Sequence, residues 1–217
     1  MSIDCLNDWF IFDDVIDKKI CNKIKKLGEG NWDQANIFNI EKSTKEAKCA
    51  GGNWLKNKPK QDSKIRVSDV YWTSEQWIYD LIFPLMYKAN KQAGWNLDVT
   101  SAEDMQITRY KKGGFYTTHK DGMADSLSAY DIPKNPFMHG KVRKISMPII
   151  LNDNFEGGDF EFISHYFRTE KGISIDTFKP KAGQIIFFLS GVEHRVAPVT
   201  KGTRYSLVSW FLGAPIK

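Results

Sequence analysis

Two histidines, an aspartate and an arginine in the second half of the chain have the types and spacing for metal chemistry. His119 and Asp121 are two residues apart in a strand-like segment, so in an extended chain both side chains point to one face. His194 lies at the predicted start of a later strand. Two imidazoles and one carboxylate are the ligand set of non-haem Fe(II) with open coordination positions. The pattern therefore predicts an iron site at His119, Asp121 and His194.

An anion-binding group is predicted next to this site. Arg204 follows His194 by ten residues and lies inside a predicted strand. A guanidinium group can form a bidentate pair with a carboxylate, which suits the far end of a dicarboxylic cosubstrate. Ser206 lies two residues on and points to the same strand face, from which its hydroxyl can donate to that carboxylate.

The elements that must position these residues are short strands. From about Leu97 onward, segments rich in β-branched and aromatic residues alternate with Gly, Pro, Asn and Asp, which is typical of a sandwich or barrel. The predicted strands are Met105–Tyr110, Phe115–His119, Lys144–Leu151, Asp159–Ile163, Ile173–Phe178, Gln184–Leu189, His194–Val196 and Arg204–Phe211.

Two amphipathic helices are predicted in the first half of the chain. Apolar residues at helical spacing predict one helix that is capped by Asp14 and ends at Gly28. A capping-box pattern at Thr73 predicts a second helix, which Pro84 should bend or interrupt and Gly94 should end. The fold class is therefore α+β.

We expect residues 1–217 to form a single domain, with a helical buttress over about 1–96 and a β core over about 97–217. The polar, Pro-containing insert 122–141 interrupts the strand pattern and is predicted to be a functional lid where substrate choice lies.

The net charge of +5 comes from 31 Lys and Arg against 26 Asp and Glu, and it is concentrated in one segment. Between Lys42 and Arg66 there are eight basic and two acidic residues, so this segment alone carries 8 − 2 = +6. Its Gly, Asn and Pro content predicts a loop. The segment 42–66 is interpreted either as a solvated loop or as a loop that attracts an acidic partner.

The composition excludes several classes of protein. Hydrophobic residues make up 41% of the chain, which rules out global disorder. The longest apolar runs, such as Ile185–Leu189, are far shorter than the roughly 20 residues that span a bilayer. No signal-peptide pattern is present at the N-terminus, and three cysteines without a C-x-x-C pairing do not indicate a disulfide framework. We expect a soluble, intracellular protein with no membrane partner.

Five motifs, taken in order, resemble the 2-oxoglutarate/Fe(II)-dependent dioxygenases, and among them the prolyl 4-hydroxylase-like branch. The resemblance covers roughly residues 104–212. The motifs are R-Y-x-x-G-G-x-Y-x-x-H-x-D, R-K-I-S-M-P-I-I-L-N-D, G-G-D-F-E-F, K-P-K-A-G and H-R-V-x-P-V-x-x-G-x-R-Y-S-x-x-x-W.

This resemblance implies a fold, cofactors and a reaction. The fold is a double-stranded β-helix, or jelly roll, with supporting N-terminal helices. The cofactor is Fe(II), with 2-oxoglutarate and O₂ as cosubstrates and ascorbate as a reductant. The family couples decarboxylation of 2-oxoglutarate to hydroxylation of an unactivated C–H bond, here most simply C4 of a prolyl residue in a peptide or protein.

The resemblance also assigns roles to single residues. His119, Asp121 and His194 become the iron ligands. Arg204 pairs with the distal carboxylate of 2-oxoglutarate, and Tyr110 forms a hydrogen bond to the same group. Two further residues, Arg143 and Trp210, match positions that border the substrate proline.

Three alternatives to a prolyl hydroxylase arise from the same residues. Hydroxylation of a free amino acid or other small molecule is compatible with the same site, and so is a catalytically silent jelly-roll binding module, although the complete ligand set argues against the latter. Nucleic-acid dealkylases of the superfamily carry a second arginine six residues after the first, where this chain has Trp210. We therefore expect no nucleic-acid partner.

Overall fold

The computed structural model describes residues 7–35, 63–122, 128–169, 172–179 and 181–215. Within these residues the chain forms two helices, α1 (Lys18–Leu27) and α2 (Gln76–Gln92). The strands are β1 (Trp9–Phe12), β2 (Asp33–Gln34), β3 (Arg66–Val67), β4 (Asp69–Thr73), β5 (Ser101–Ala102), β6 (Met105–Tyr110), β7 (Phe115–His119), β8 (Val142–Ile150), β9 (Phe155–Gly157), β10 (Phe160–Thr169), β11 (Gly172–Phe178), β12 (Ile185–Leu189), β13 (His194–Val196), β14 (Val199–Gly202) and β15 (Arg204–Gly213).

The strands form three antiparallel sheets. The largest has the order β1-β12-β8-β15-β6-β4-β2, with β5 paired to β15. The second has the order β11-β10-β13-β7-β3, and the third pairs β14 with β9. Neighbouring strands are mostly distant in sequence, so the sheets bring together residues from both halves of the chain. The α+β class predicted from the sequence is confirmed.

One face of the largest sheet packs against the helices. Because side chains alternate along a strand, every second residue points to this face. Its core contains Ile24 of α1 and Ile82 of α2, which pack with Ile107, Met147 and Phe211 of the sheet. All five side chains are fully buried. We call this cluster the helix-side core.

The opposite face of the largest sheet packs against the second sheet. Tyr110, Ile186 and Phe188 of the largest sheet form a cluster with Phe160 and Val196 of the second. We call this cluster the inner core. It holds the two sheets face to face.

The eight predicted strands are all present, and three of them, β6, β7 and β13, have the predicted bounds. The description of residues 1–96 as a helical buttress is incomplete, because this segment also contributes β1, β2, β3 and β4. β1 extends the largest sheet beside β12, and β3 extends the second sheet beside β7. These strands are short, and their partners lie far along the chain, so local patterning did not reveal them.

The cap predicted for α1 is wrong by three residues. Asp17 is the N-cap, and its Oδ1 accepts a hydrogen bond of 2.7 Å from the backbone N–H of Ile20. Asp14 lies before the helix with φ at +54°. Ile16 has the apolar spacing of the helix, but it precedes the cap and is buried in the helix-side core. The predicted end of the helix at Gly28 is confirmed.

Loss of this cap should lower stability. We expect Asp17→Ala to lower the free energy of unfolding by about 1 kcal/mol, because one backbone N–H of the first turn loses its partner. The measurement is the midpoint of urea unfolding. Asp14→Asn is the matched control, since asparagine tolerates positive φ and the N-cap of α1 is Asp17 rather than Asp14. Equal midpoints for both variants would contradict the assignment of the cap.

The start of α2 also differs from its prediction. Thr73 is the last residue of β4, so it does not form a capping box. Glu75 occupies the N-cap without a side-chain cap, and its carboxylate accepts a hydrogen bond from Trp77 Nε1 at 3.0 Å. The helix continues through Pro84. Gly94, with φ at +76°, follows the last turn, as predicted.

Two features noted in the sequence fall partly outside the described residues. Most of the basic segment 42–66 lies in the range 36–62, and part of the insert 122–141 lies in the range 123–127. In the described ranges, neither helix has the length and apolar content needed to cross a membrane.

Candidate metal centre

Strand pairing brings the three predicted ligand residues together. β7 ends at His119 and β13 begins at His194, and these two residues lie directly opposite each other in the second sheet. Asp121 follows β7 by two residues, and its backbone N–H donates to the carbonyl of Ser190 at 2.9 Å. This hydrogen bond ties the aspartate to the turn that precedes His194.

The ligand atoms of His119, Asp121 and His194 lie within 4.8 Å of one another. Each imidazole Nε2 is 3.7 Å from one oxygen of the Asp121 carboxylate. The site is enclosed, because the side chains of His194 and Asp121 are only 5% and 9% exposed. The arrangement is suited to a metal ion.

Backbone hydrogen bonds fix the orientation of both rings. Nδ1 of His119 is 2.8 Å from the carbonyl oxygen of Thr117, and Nδ1 of His194 is 2.9 Å from that of Val192. A carbonyl only accepts, so each Nδ1 carries the proton and donates it. Each Nε2 therefore presents a lone pair towards the other two residues, as a metal ligand requires.

The electrostatics favour the protonation states that bind metals. Burial, together with the nearby His194, lowers the pKa of His119 to about 3, so its imidazole is neutral. Burial would raise the pKa of Asp121, but the two histidines and Arg143 outweigh this effect and lower it below the usual value. The neutral imidazole of His119 and the ionised carboxylate of Asp121 can bind a divalent cation without losing protons first.

Aromatic rings enclose the two histidines. Tyr116 stacks on His119 with ring centroids 3.6 Å apart. Phe188 and Phe160 flank His194, with centroids at 4.6 and 5.5 Å. These rings limit the access of water to one side of the site.

The contact of Tyr116 with His119 depends on a β-bulge. His119 lies opposite His194 and Tyr116 opposite Val196, so β7 places two residues where β13 has one. The extra residue turns Tyr116 to the side of His119. Strict alternation would put them on opposite faces, which is why sequence reasoning missed Tyr116.

Arg204 is buried and incompletely paired. It is 1% exposed, and Nη1 donates to Ser206 Oγ at 3.0 Å. Its Nε and Nη2 have no hydrogen-bond partner among the described residues. Burial lowers the pKa of its guanidinium. A buried charge without a partner is costly, so the site is suited to an anion that supplies the missing acceptors.

The predicted neighbours of Arg204 surround it. Tyr110 lies opposite Arg204 in the β6–β15 pair, and the guanidinium lies 5.5 Å from the centre of its ring. A Cβ on Gly158, where φ is +65°, would come within 3.0 Å of Arg204 Cδ and of Val199. Gly158, in the G-G-D-F-E-F motif, therefore leaves space for the aliphatic part of Arg204 that a larger residue would occupy. Tyr110 belongs to the inner core, whose aromatic rings also flank His194. The pocket around Arg204 and the metal cluster therefore both lie between the two facing sheets.

Arg143 and Trp210 lie next to each other, and both contact Glu103, a residue that sequence reasoning missed. Arg143 is held by Glu103 through two hydrogen bonds, Nε to Oε1 at 2.6 Å and Nη2 to Oε2 at 2.5 Å. Its guanidinium lies 4.1 Å above the ring of Trp210. Trp210 Nε1 is buried and has no acceptor in the described part of the chain.

Arg66 is a second buried arginine near the histidines, and sequence reasoning missed it too. It belongs to β3 rather than to the predicted basic loop. Its guanidinium donates to Ser68 Oγ and to Gln106 Oε1, both at 2.8 Å, and lies 4.7 Å from the centre of the Tyr116 ring. No carboxylate pairs with it among the described residues.

Comparison with known proteins identifies related sequences. A sequence model of the 2OG-Fe(II) oxygenase superfamily matches residues 105–212, half of the chain. Human prolyl 3-hydroxylase 2 is 40% identical over 76 residues, which are 34% of this chain and 10% of that protein. The chain thus spans a tenth of the length of this curated relative.

Solved structures share the fold. A prolyl-4-hydroxylase from Pseudomonas putida has a TM-score of 0.62 at 18% identity, covering 94% of this chain and 91% of the other. A prolyl hydroxylase from Trichoplax adhaerens, in complex with a hypoxia inducible factor peptide fragment, has a TM-score of 0.65 at 14% identity. The match covers 94% of this chain and 83% of the other. The antiparallel sheets and two helices therefore match the jelly-roll fold of 2-oxoglutarate oxygenases.

Proposed function

Because the chain belongs to the 2OG-Fe(II) oxygenase superfamily, we propose that it hydroxylates C4 of a prolyl residue in a peptide or protein. Oxygenases of this superfamily use Fe(II) with 2-oxoglutarate and O₂ as cosubstrates. One observation carries the proposal. A His-Asp-His cluster and a buried arginine lie between the same two sheets, and two nitrogen donors of that arginine have no hydrogen-bond acceptor among the described residues.

In this proposal His119 and His194 bind iron through Nε2, and Asp121 binds it through a carboxylate oxygen. Bound iron and its cosubstrates supply the oxidant that converts C–H to C–OH. The chain contributes fixed ring orientations and an ionised carboxylate. The aromatic rings keep water away from the reacting centre.

Arg204 is proposed to bind the distal carboxylate of 2-oxoglutarate through Nε and Nη2, the two donors without a partner. Ser206 Oγ accepts from Nη1 and therefore retains its own proton for donation to the same carboxylate. Tyr110 contributes its hydroxyl from the facing strand. The low polarity of the pocket strengthens each of these interactions.

The prolyl substrate is supported by the chemistry around Trp210. Arg143 lies above one face of its ring, and both side chains match positions that border the substrate proline in prolyl hydroxylases. The buried Trp210 Nε1 is a donor for a substrate carbonyl. The name of the human relative and the peptide complex of the Trichoplax relative point to the same class of substrate.

We further propose that the two facing sheets form a double-stranded β-helix within a single domain over 1–217. Support comes from β1 and β3, which join strands of the N-terminal half to both sheets.

A second candidate is hydroxylation of a free amino acid or another small carboxylate. Arg66 favours it, because this buried guanidinium close to Tyr116 has no carboxylate partner among the described residues. A substrate carboxylate would supply that partner.

The first test is binding. Anaerobic addition of Fe(II) and then 2-oxoglutarate to the purified protein should produce a weak metal-to-ligand absorption band in the visible range. No band from folded protein would contradict the proposed site and would favour a silent binding module.

The second test is turnover. Aerobic reactions, with and without ascorbate, should add the mass of one oxygen atom to proline-containing peptides, with succinate as co-product. A panel that also contains cell lysate and free amino acids separates the two candidate substrates. Oxygen addition to a free amino acid alone would overturn the peptide assignment.

A further inference from the structure

Two buried serines lie next to the metal cluster and take no part in the proposed function. Ser146 of β8 is fully buried, and Ser190, in the turn after β12, is 1% exposed. Their hydroxyl oxygens lie 2.9 Å apart, which is a hydrogen bond. Burying a hydroxyl group is costly unless its hydrogen bonds are made, so the partners of this pair identify what the two serines do.

Ser146 points to the inner face of the largest sheet. Its neighbours Ile145 and Met147 belong to the helix-side core, so alternation along β8 places Ser146 on the opposite side. It lies directly across from Phe188 on β12. Because Phe188 flanks His194, the Ser146 hydroxyl is on the same side of the sheet as the metal cluster.

The turn that contains Ser190 also holds Asp121. The carbonyl of Ser190 accepts from the backbone N–H of Asp121 at 2.9 Å, and the backbone N–H of Ser190 donates to the carbonyl of Lys144 at 3.0 Å. Lys144 precedes Ser146 by two residues on β8. Ser190 is therefore fixed between β8 and the aspartate of the H-x-D motif.

The Ser146 hydroxyl donates to the Asp121 carboxylate. Burial acts against ionisation of this carboxylate, but the two histidines, Arg143 and the hydrogen bond from Ser146 together lower its pKa. An ionised carboxylate only accepts, so Ser146 uses its single proton for this bond and accepts from Ser190. The bonds run from Ser190 to Ser146 to Asp121. Hydrogen bonds in such a chain polarise one another, which strengthens the bond to Asp121.

The two histidines alone do not determine which oxygen of Asp121 binds a metal ion. Nε2 of His119 is 3.7 Å from Oδ1, and Nε2 of His194 is 3.7 Å from Oδ2. Both oxygens therefore lie at the same distance from a ligand nitrogen. A carboxylate can bind a metal ion through one oxygen or through both. A donor that holds the carboxylate in one orientation decides between these modes.

We propose that Ser146 is a positioning residue that orients the Asp121 carboxylate for metal binding, and that Ser190 orients Ser146. The inference rests on the proposed role of His119, Asp121 and His194 as metal ligands and adds two residues to that site. The bond from Ser146 keeps the carboxylate bound to the metal through one oxygen. The remaining coordination positions then stay open, as this ligand set requires.

Removal of the Ser146 hydroxyl should weaken metal binding. Co(II) serves as the probe of the iron site. In Ser146→Ala its Kd should be about 10-fold to 100-fold higher than in wild-type protein, the usual effect of removing the partner of a metal ligand. The visible absorption spectrum of bound Co(II) should change too, because the carboxylate can then rotate and bind through both oxygens. A Co(II) titration followed by absorption measures both effects.

Ser209→Ala is the matched control. Ser209 is also a fully buried serine of the largest sheet, on β15, but its hydroxyl has no hydrogen-bond partner among the described residues. It lies opposite Met147 of the helix-side core, so it belongs to the other face of the sheet. Each variant removes one buried hydroxyl, and only Ser146→Ala should change the Kd and the spectrum of Co(II). Urea unfolding of the metal-free proteins verifies that both variants fold.

Ser190→Ala is a second variant, which leaves the proton of Ser146 in place. It should raise the Kd for Co(II) about twofold to tenfold, the range for one lost neutral hydrogen bond. Equal Kd values for wild-type protein and folded Ser146→Ala, or equal increases in Ser146→Ala and Ser209→Ala, would overturn the inference and leave the metal site in place. Failure of folded wild-type protein to bind Co(II) would overturn the proposed metal site itself.

Discussion

The His194→Ala variant should form no more succinate from 2-oxoglutarate than buffer with iron and no protein. His194 is 4% exposed, and Phe160 and Phe188 line the space that its removal would leave. Apolar rings cannot replace a nitrogen ligand. His119 and Asp121 would remain, which is fewer than the three protein ligands that open catalytic metal sites usually have. We therefore expect iron binding and turnover to be lost together.

This prediction is checked by anaerobic Fe(II) titration and by succinate assay on the same samples. Lys120→Ala is the matched control, because Lys120 lies between the two ligands of the H-x-D motif and its side chain is 48% exposed. Should His194→Ala fail to fold, His119→Ala tests the same point at a more exposed position. Full turnover by either folded histidine variant would refute the ligand assignment.

The metal cluster was predictable because its signals are local. The i, i+2 spacing of His119 and Asp121 survives in the structure at the end of β7. His194 starts β13 and Arg204 starts β15, and the short strand β14 lies between them. Such spacings depend on strand alternation and short turns, which a sequence displays directly.

The rest of the site depends on contacts between distant segments. Tyr116 reaches His119 through a bulge whose register is set by β13. Glu103 reaches Arg143 across 40 positions. Arg66 faces Tyr116 only because β3 pairs with β7. In each case the register with the partner strand determines which side chains meet. The hydrophobic pattern of the local sequence does not show this register.

The cap of α1 shows a different limit. Asp14 and Asp17 are equally good cap residues by type, and the apolar spacing that begins at Ile16 favours the earlier one. In the structure Ile16 packs into the helix-side core from outside the helix. The helix starts where the backbone geometry allows a cap, which is at Asp17.

Arg204→Met should raise the KM for 2-oxoglutarate about 10-fold to 150-fold. The range follows from the 1.5–3 kcal/mol contributed by a typical charge-assisted hydrogen bond, at about 1.4 kcal/mol per tenfold. Methionine conserves much of the apolar stem that packs beside Gly158 and leaves Ser206 in place. The variant therefore removes the charge while disturbing the packing little.

Without 2-oxoglutarate, the same substitution should not destabilise the protein. Because Nε and Nη2 of Arg204 lack partners among the described residues, removing the buried charge should keep or raise the free energy of unfolding. Wild-type protein should gain about 2.7 kcal/mol at a 2-oxoglutarate concentration 100 times its Kd, and the variant should gain far less at that concentration. Thermal unfolding with and without 2-oxoglutarate measures both effects.

Arg109→Met is the contrasting control for Arg204. Arg109 lies one residue before Tyr110 and points to the other face of the sheet, where Asp69 accepts from its Nε at 2.9 Å and its Nη2 at 2.7 Å. Its loss leaves Asp69 without this partner, so stability should fall while the KM for 2-oxoglutarate stays the same. If both variants lost stability equally and neither changed that KM, Arg204 would be a structural arginine. If the KM for 2-oxoglutarate rises only in Arg204→Met, Nε and Nη2 of Arg204 bind the cosubstrate.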